Sequence, residues 1–292
     1  MRYRADPPSL ELSADFVERH WEREPLLVRG ADAEGFRAVF TREDCEDLLH
    51  HGALRSGFVT VVAGGNPVPH ELLHRVEQEV GGLVHDDLVD PEAVVAYRER
   101  GATVILAGLQ LLNRTIAALA AGLTADTGRR TEAHAFHTPP GTSGLARHFD
   151  GEDNFLFQIE GTKHWDLAPP LSDLLPVAGG RPPADHPVDE SRARRLVLRP
   201  GDLLYIPRGW LHASSTGDED SLHVTVQVLP DTVRGAVADQ VAGILAAEIP
   251  EHAVVPDAFG RGAVDFAAHI RATARALDAW ADEVAATVQT RT

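Results

Sequence analysis

His148-Phe149-Asp150-Gly151-Glu152-Asp153-Asn154-Phe155-Leu156-Phe157-Gln158-Ile159-Glu160-Gly161-Thr162-Lys163-His164-Trp165 sets the character of the whole chain. Asn154 to Glu160 and His164 to Ala168 are short β-rich runs on either side of Gly161. The same texture extends from Glu132 to Pro230, with further runs at Ala133 to His137, Arg195 to Leu198, Leu203 to Ile206 and Leu222 to Leu229. Many short strands with regular turn signals predict a barrel or sandwich. Residues 169–195 interrupt them with Pro169, Pro170, Pro176, Pro182, Pro183, Pro187 and Gly179-Gly180. That stretch reads as a long loop of the kind that serves as a functional lid.

Outside this core the periodicity changes. Over residues 1–125, helical and strand patterns alternate: helix from Ala14 to Trp21, strand from Pro25 to Arg29, strand from Phe58 to Ala63, strand from Thr103 to Leu106, helices from Pro91 to Arg100 and Leu111 to Leu123. Thr41-Arg42-Glu43-Asp44 has the form of a capping box opening a helix through Leu49. After Pro230, Thr232 to Ala247 and Val264 to Val288 are helical, with Val237, Val241, Ile244 and Leu245 at helical spacing. Two helices are too few for their own core, so they are expected to pack on the barrel or on a second subunit. The reading is three regions: an N-terminal α/β region, 1–125, packing on the barrel; a β-rich catalytic core, 126–230; and a C-terminal helical segment, 231–292, a candidate for homodimerisation.

Composition narrows the function classes. The chain has 292 residues, 43% of them hydrophobic, as expected of a globular protein. No apolar run approaches the roughly 18 residues of a spanning helix, so no membrane partner is expected. Met1 to Ser13 lacks the apolar centre of a secretory signal. One cysteine, Cys45, suits a reducing cytoplasm. The net charge of −17 argues against nucleic acid, whose phosphates need basic surface, and permits a basic polypeptide partner. Lys163 is the single lysine among 27 basic residues. A solvated surface accepts either cation, so this imbalance alone carries no function.

The chemistry gathers in two places. His148 and Asp150 are two residues apart, and on an extended strand such residues point to one face. Further along, Gly201-Asp202 turns into a strand, Pro207 and Gly209 make another turn, and His212 opens the next strand. Two histidines and one carboxylate on one face of a metal form the facial triad of non-haem Fe(II) oxygenases, which leaves the remaining positions for co-substrate and O2.

The segment Thr138 to Trp165 resembles the core of the JmjC-type 2-oxoglutarate oxygenases, and most of all the ribosomal oxygenases, which hydroxylate arginine or histidine in ribosomal proteins. Leu198 to Ala213 and Ser221 to Thr225 fit too; Gly101 to Leu109 and Phe16 to Arg29 fit more loosely. The resemblance implies a mainly β fold with flanking helices: a double-stranded β-helix, or cupin jelly roll. It makes His148, Asp150 and His212 the iron ligands. It places Lys163, 13 residues after the motif aspartate, on the distal carboxylate of 2-oxoglutarate. Asn154 matches an asparagine that, in the related asparaginyl hydroxylase, contacts the near carboxylate of the co-substrate, and Gln227 falls where that enzyme has a second asparagine; a plain polar strand residue is the alternative at both. The ribosomal oxygenases usually carry Asn-x-Tyr where this chain has His134-Ala135-Phe136. Phe136 lacks the tyrosine hydroxyl, and Thr225 is the expected replacement donor. His134 either faces the co-substrate or packs in the core. The 62 residues after Pro230 are expected to leave out the family's C-terminal winged-helix region.

His70-Glu71-Leu72-Leu73-His74 matches the His-Glu-x-x-His zinc-peptidase pattern. It has no convincing third ligand, and a surface helix of mixed charge is the simpler reading. The expected function is an Fe(II)- and 2-oxoglutarate-dependent hydroxylase of a polypeptide side chain, a ribosomal protein or modified peptide, releasing succinate and CO2. A small-molecule hydroxylase of a biosynthetic pathway and a non-catalytic cupin that binds a partner are the alternatives.

Overall fold

The computed structural model describes residues 1–5, 8–51, 53–75, 78–183, 189, 191–248 and 263–289. The chain divides into two compact units, Met1–Pro230 and Asp231–Thr292. The second contains two helices, Val233–Glu248 and Ala263–Gln289, packed on each other.

In the first unit, eight antiparallel strands form the main sheet. Their order is Leu26–Val28, Leu203–Ile206, Asp153–Glu160, Ser221–Val228, Thr131–Thr138, Thr103–Leu106, Val59–Ala63 and Asn66–Pro67. Arg194–Leu198, Lys163–Ala168 and Leu211–Ser215 form a second, three-stranded sheet. The two are the walls of a double-stranded β-helix.

Strict alternation makes this arrangement. In Ser221–Val228, the side chains of Leu222, Val224, Val226 and Val228 are fully buried on one face, while His223, Thr225 and Gln227 take the other. In Asp153–Glu160, Phe155, Phe157 and Ile159 are buried in the same core. N-terminal aromatics cover that apolar face: Phe36 meets Phe157 edge-on at 5.2 Å, and Phe16 meets Tyr205 at 4.9 Å. Burying each such ring contributes about 1.5–3 kcal/mol. A smaller cluster, including Leu156, Trp165, Leu204, Ile206 and Trp210, packs between the two sheets. The polar inner face of the main sheet is thus left for a site.

The N-terminal residues extend the barrel as well as covering it, since Leu26–Val28 pairs with Leu203–Tyr205 and Thr103–Leu106 joins Thr131–Thr138. The Thr41 box is made: the Asp44 carboxylate accepts from Thr41 N, and Thr41 Oγ1 accepts from Asp44 N at 3.1 Å. Three local features differ from the sequence reading. Ala33–Val39 is a helix, capped by Asp32, which accepts from Gly35 N at 2.8 Å; a glycine inside the helix hides it from propensity. The predicted Leu111–Leu123 helix is two helices, Leu109–Leu112 and Arg114–Thr127, because Asn113 is extended and accepts from Thr115 N and Ile116 N as an N-cap. His70–Leu72 is a single 3₁₀ turn rather than a helix, and burial of Leu73 ties it to the core; the His70 and His74 rings stack at 6.4 Å, but among the described residues no third ligand joins them. Of the 169–195 loop, 184–188 and 190, Pro187 among them, lie outside the described residues.

Candidate active site

Among the described residues, one group of three or more metal-ligating side chains could hold an ion: His148, Asp150 and His212, with one ligand atom from each lying within 4.8 Å of the others. His148 and His212 face each other across a two-way backbone bridge, His148 N to His212 O at 3.0 Å and His212 N to His148 O at 2.7 Å. The Pro207–Gly209 turn sets that register, since Gly209 N donates to Asp150 O at 2.9 Å. Asp150 lies between the rings, its oxygens 3.6 Å from His148 Nε2 and 3.5 Å from His212 Nε2. Each Nδ1 is already used: His148 Nδ1 donates to Ala146 O at 2.9 Å and His212 Nδ1 to Trp210 O at 3.0 Å. A proton on Nδ1 leaves Nε2 with its lone pair free, the tautomer a metal needs. Burial, then the neighbouring His212, lowers the His148 pKa and favours the neutral ring. Two neutral imidazoles and one carboxylate fit Fe(II).

The triad lines a cavity of about 210 Å³ between the two sheets. Lys163 lines it too, 1% exposed. Its Nζ donates to Thr138 Oγ1 at 2.9 Å and to His223 Nδ1 at 3.5 Å, with the Phe136 and Trp165 rings about 6 Å away. Burial alone lowers the Lys163 pKa to about 7, with no carboxylate opposing it among the described residues. Burial first, and Lys163 second, hold the His223 pKa well below the ordinary histidine range. Because Nδ1 of this neutral ring accepts from Lys163, its proton is on Nε2.

Four further residues line the cavity. Asn154 and Gln227 are direct cross-strand partners, and Thr225 stands opposite both Leu156 and His134. Asn154 Nδ2 donates to Asp150 Oδ2 at 2.8 Å, and Gln227 Nε2 donates to Asn154 Oδ1 at 3.0 Å. His134, left open between core and cavity by sequence reading, faces the cavity.

Residues 115–235 match the JmjC domain family. The chain carries a JmjC domain. Ribosomal oxygenase 1 of Gallus gallus is 32% identical over 218 residues, 73% of this chain and 34% of the relative. The bifunctional lysine-specific demethylase and histidyl-hydroxylase NO66 of Aedes aegypti is 28% identical over 220 residues, 73% of this chain and 32% of the relative. The chain therefore spans about a third of the length of these curated relatives. In fold, the chain resembles the Escherichia coli ribosomal oxygenase YcfD, with TM-score 0.53 at 18% identity over 88% of this chain and 62% of that one. A structure of YcfD with cobalt and 2-oxoglutarate gives TM-score 0.51 at 18% identity, over 84% of this chain and 60% of that one.

Within the JmjC domain, the proline-rich segment is a strap behind the metal-ligand segment. Phe149 and Gly180 exchange two backbone hydrogen bonds of 2.9 Å. A Cβ on Gly180 would lie 2.9 Å from Phe149 Cζ, so a side chain there would have to push the ring aside. Arg208 Nη1 pins the strap by donating to Pro176 O at 2.8 Å, and Arg181 by donating to Gly65 O at 2.9 Å. Two residues are not predicted from the sequence: His223, which lines the cavity, and Thr138, which accepts from Lys163 Nζ. The signal for His223 is the period-two polar series His223, Thr225, Gln227.

Proposed function

We propose that this chain is an Fe(II)- and 2-oxoglutarate-dependent oxygenase that hydroxylates a polypeptide side chain. The observation that carries the reading is one cavity holding both a metal-ready triad and a buried lysine that, among the described residues, no carboxylate neutralises. Fe(II) held by His148, Asp150 and His212 would couple oxidative decarboxylation of 2-oxoglutarate, giving succinate and CO2, to insertion of an oxygen atom from O2 into a C–H bond.

The protein's own part is binding, orientation and dryness. Lys163 receives the distal carboxylate, and in so buried a place a charge-assisted hydrogen bond is stronger than in water. Thr138 holds Nζ from behind, and His223 Nε2 supplies a second donor, the role that the missing tyrosine hydroxyl would fill. Thr225 lies on the same polar face for the co-substrate chain. Phe136, Trp165 and Ile206 exclude water from the cavity walls.

Relatives named ribosomal oxygenase and histidyl-hydroxylase support a polypeptide substrate. A basic segment suits a chain of net charge −17. We place the enzyme in the cytoplasm, where a free, buried Cys45 is at home; among the described residues no helix is long and apolar enough to cross a membrane. The helices of residues 231–292, with Ile270 and Val284 exposed, are the proposed dimer surface.

Incubation with Fe(II), 2-oxoglutarate and ribosomal proteins should release succinate and add 16 Da to one polypeptide. Absence of succinate with any protein or metabolite pool would leave a non-catalytic cupin, and turnover with metabolites alone a small-molecule hydroxylase. Light scattering reads the dimer.

A further inference from the structure

Gln227 and Asn154 make a polarised hydrogen-bond chain that ends on the Asp150 carboxylate. A carboxylate can only accept, so Asn154 must present Nδ2 to Asp150 Oδ2, at 2.8 Å. That leaves Asn154 Oδ1 to accept, and Gln227 Nε2 supplies the donor at 3.0 Å. Every donor in the series points toward Asp150. A β-strand pairing holds it, with Asn154 directly opposite Gln227.

The Asn154 amide is therefore spent within the protein, its Nδ2 donating to Asp150 and, at 3.4 Å, to Glu152 O, and its Oδ1 accepting from Gln227. A carboxylate with one oxygen held by Asn154 keeps the other, Oδ1, free for a ligand, and its plane is fixed relative to both imidazoles. We propose that Asn154 and Gln227 are positioning residues that orient Asp150 as a one-oxygen metal ligand, rather than contacts of the co-substrate's near carboxylate. The inference rests on the metal-site reading above.

The test separates metal affinity from co-substrate affinity in the full chain, with Co(II) as the probe. Wild type should bind one Co(II), with a visible d–d band, and His148→Ala should not. In Gln227→Leu and in the shape-conserving Gln227→Glu, which replaces the donor to Asn154 by a second acceptor, Co(II) binding should weaken about 10- to 100-fold with a shifted d–d band. The 2-oxoglutarate Kd, measured at saturating Co(II), should stay within about twofold. The folded state of each variant is checked by its thermal midpoint, and Gln227→Glu serves if Gln227→Leu does not fold. Unchanged Co(II) affinity and band with weakened 2-oxoglutarate binding would make these residues co-substrate contacts and overturn the proposal. Failure of wild type to bind Co(II) would remove the metal reading and the proposal with it.

Discussion

Lys163 Nζ donates to Thr138 Oγ1 at 2.9 Å inside a cavity where no carboxylate neutralises it among the described residues. An ammonium so buried costs stability unless something charged arrives, so the position is costly for the fold and useful for a ligand.

Lys163→Ala should raise the 2-oxoglutarate requirement about 10- to 100-fold, from loss of a charge-assisted hydrogen bond worth about 1.5–3 kcal/mol. Co(II) affinity should change little. Lys163→Arg should be milder, because it keeps the charge with a different shape. Titration calorimetry reads both affinities, and unchanged 2-oxoglutarate binding in Lys163→Ala would remove Lys163 from the site.

The same residue sets a pH dependence. With its pKa lowered to about 7, the free protein's Lys163 is largely neutral at pH 8, whereas a carboxylate partner favours the charged form. Binding above pH 7 should take up a proton, and affinity should fall by up to about tenfold per pH unit. Calorimetry in buffers of different ionisation enthalpy counts that proton.

Stability carries the opposite sign. Between pH 7 and the unfolded lysine value of 10.5, the unfolded chain holds a proton that the folded chain has lost, so Lys163 makes ligand-free stability rise with pH. Below pH 7 the whole burial penalty is present. Lys163→Met should therefore stabilise the ligand-free protein at pH 6 by at least about 1 kcal/mol, with the difference shrinking toward pH 10. Urea denaturation across this range checks it.

Thr138→Val keeps the side-chain shape and removes the acceptor that holds Nζ. The 2-oxoglutarate Kd should rise about 5- to 10-fold, about the worth of one hydrogen bond. An unaltered Kd would mean that the packing of Phe136 and Trp165 alone holds the lysine.

Asn113→Ala removes a cap that accepts two hydrogen bonds, at 2.9 and 3.0 Å, at the start of Arg114–Thr127. It should cost about 1 kcal/mol with no effect on Co(II) affinity. Urea unfolding and metal titration of the same preparation read the two quantities.

Local patterning dictates the strands and marks His148, Asp150 and His212 as candidate ligands. Alternation in residues 221–228 dictates one apolar and one polar face whatever the strand packs against, and the turns at Gly201 and Pro207 to Gly209 are local chemistry. The Ala33–Val39 helix and the break at Asn113 were less legible because a glycine and an extended residue outweigh periodicity there. Tertiary structure alone decided what the polar face does. Pairing of Ser221–Val228 with both Asp153–Glu160 and Thr131–Thr138 places Gln227 opposite Asn154 and His223 opposite Phe136. Closure of the second sheet carries Lys163 and Trp165 over that face and makes it a cavity. The orientation of the amides toward Asp150 and the lowered lysine pKa depend on distances between residues up to 73 positions apart, and only the folded barrel sets those distances.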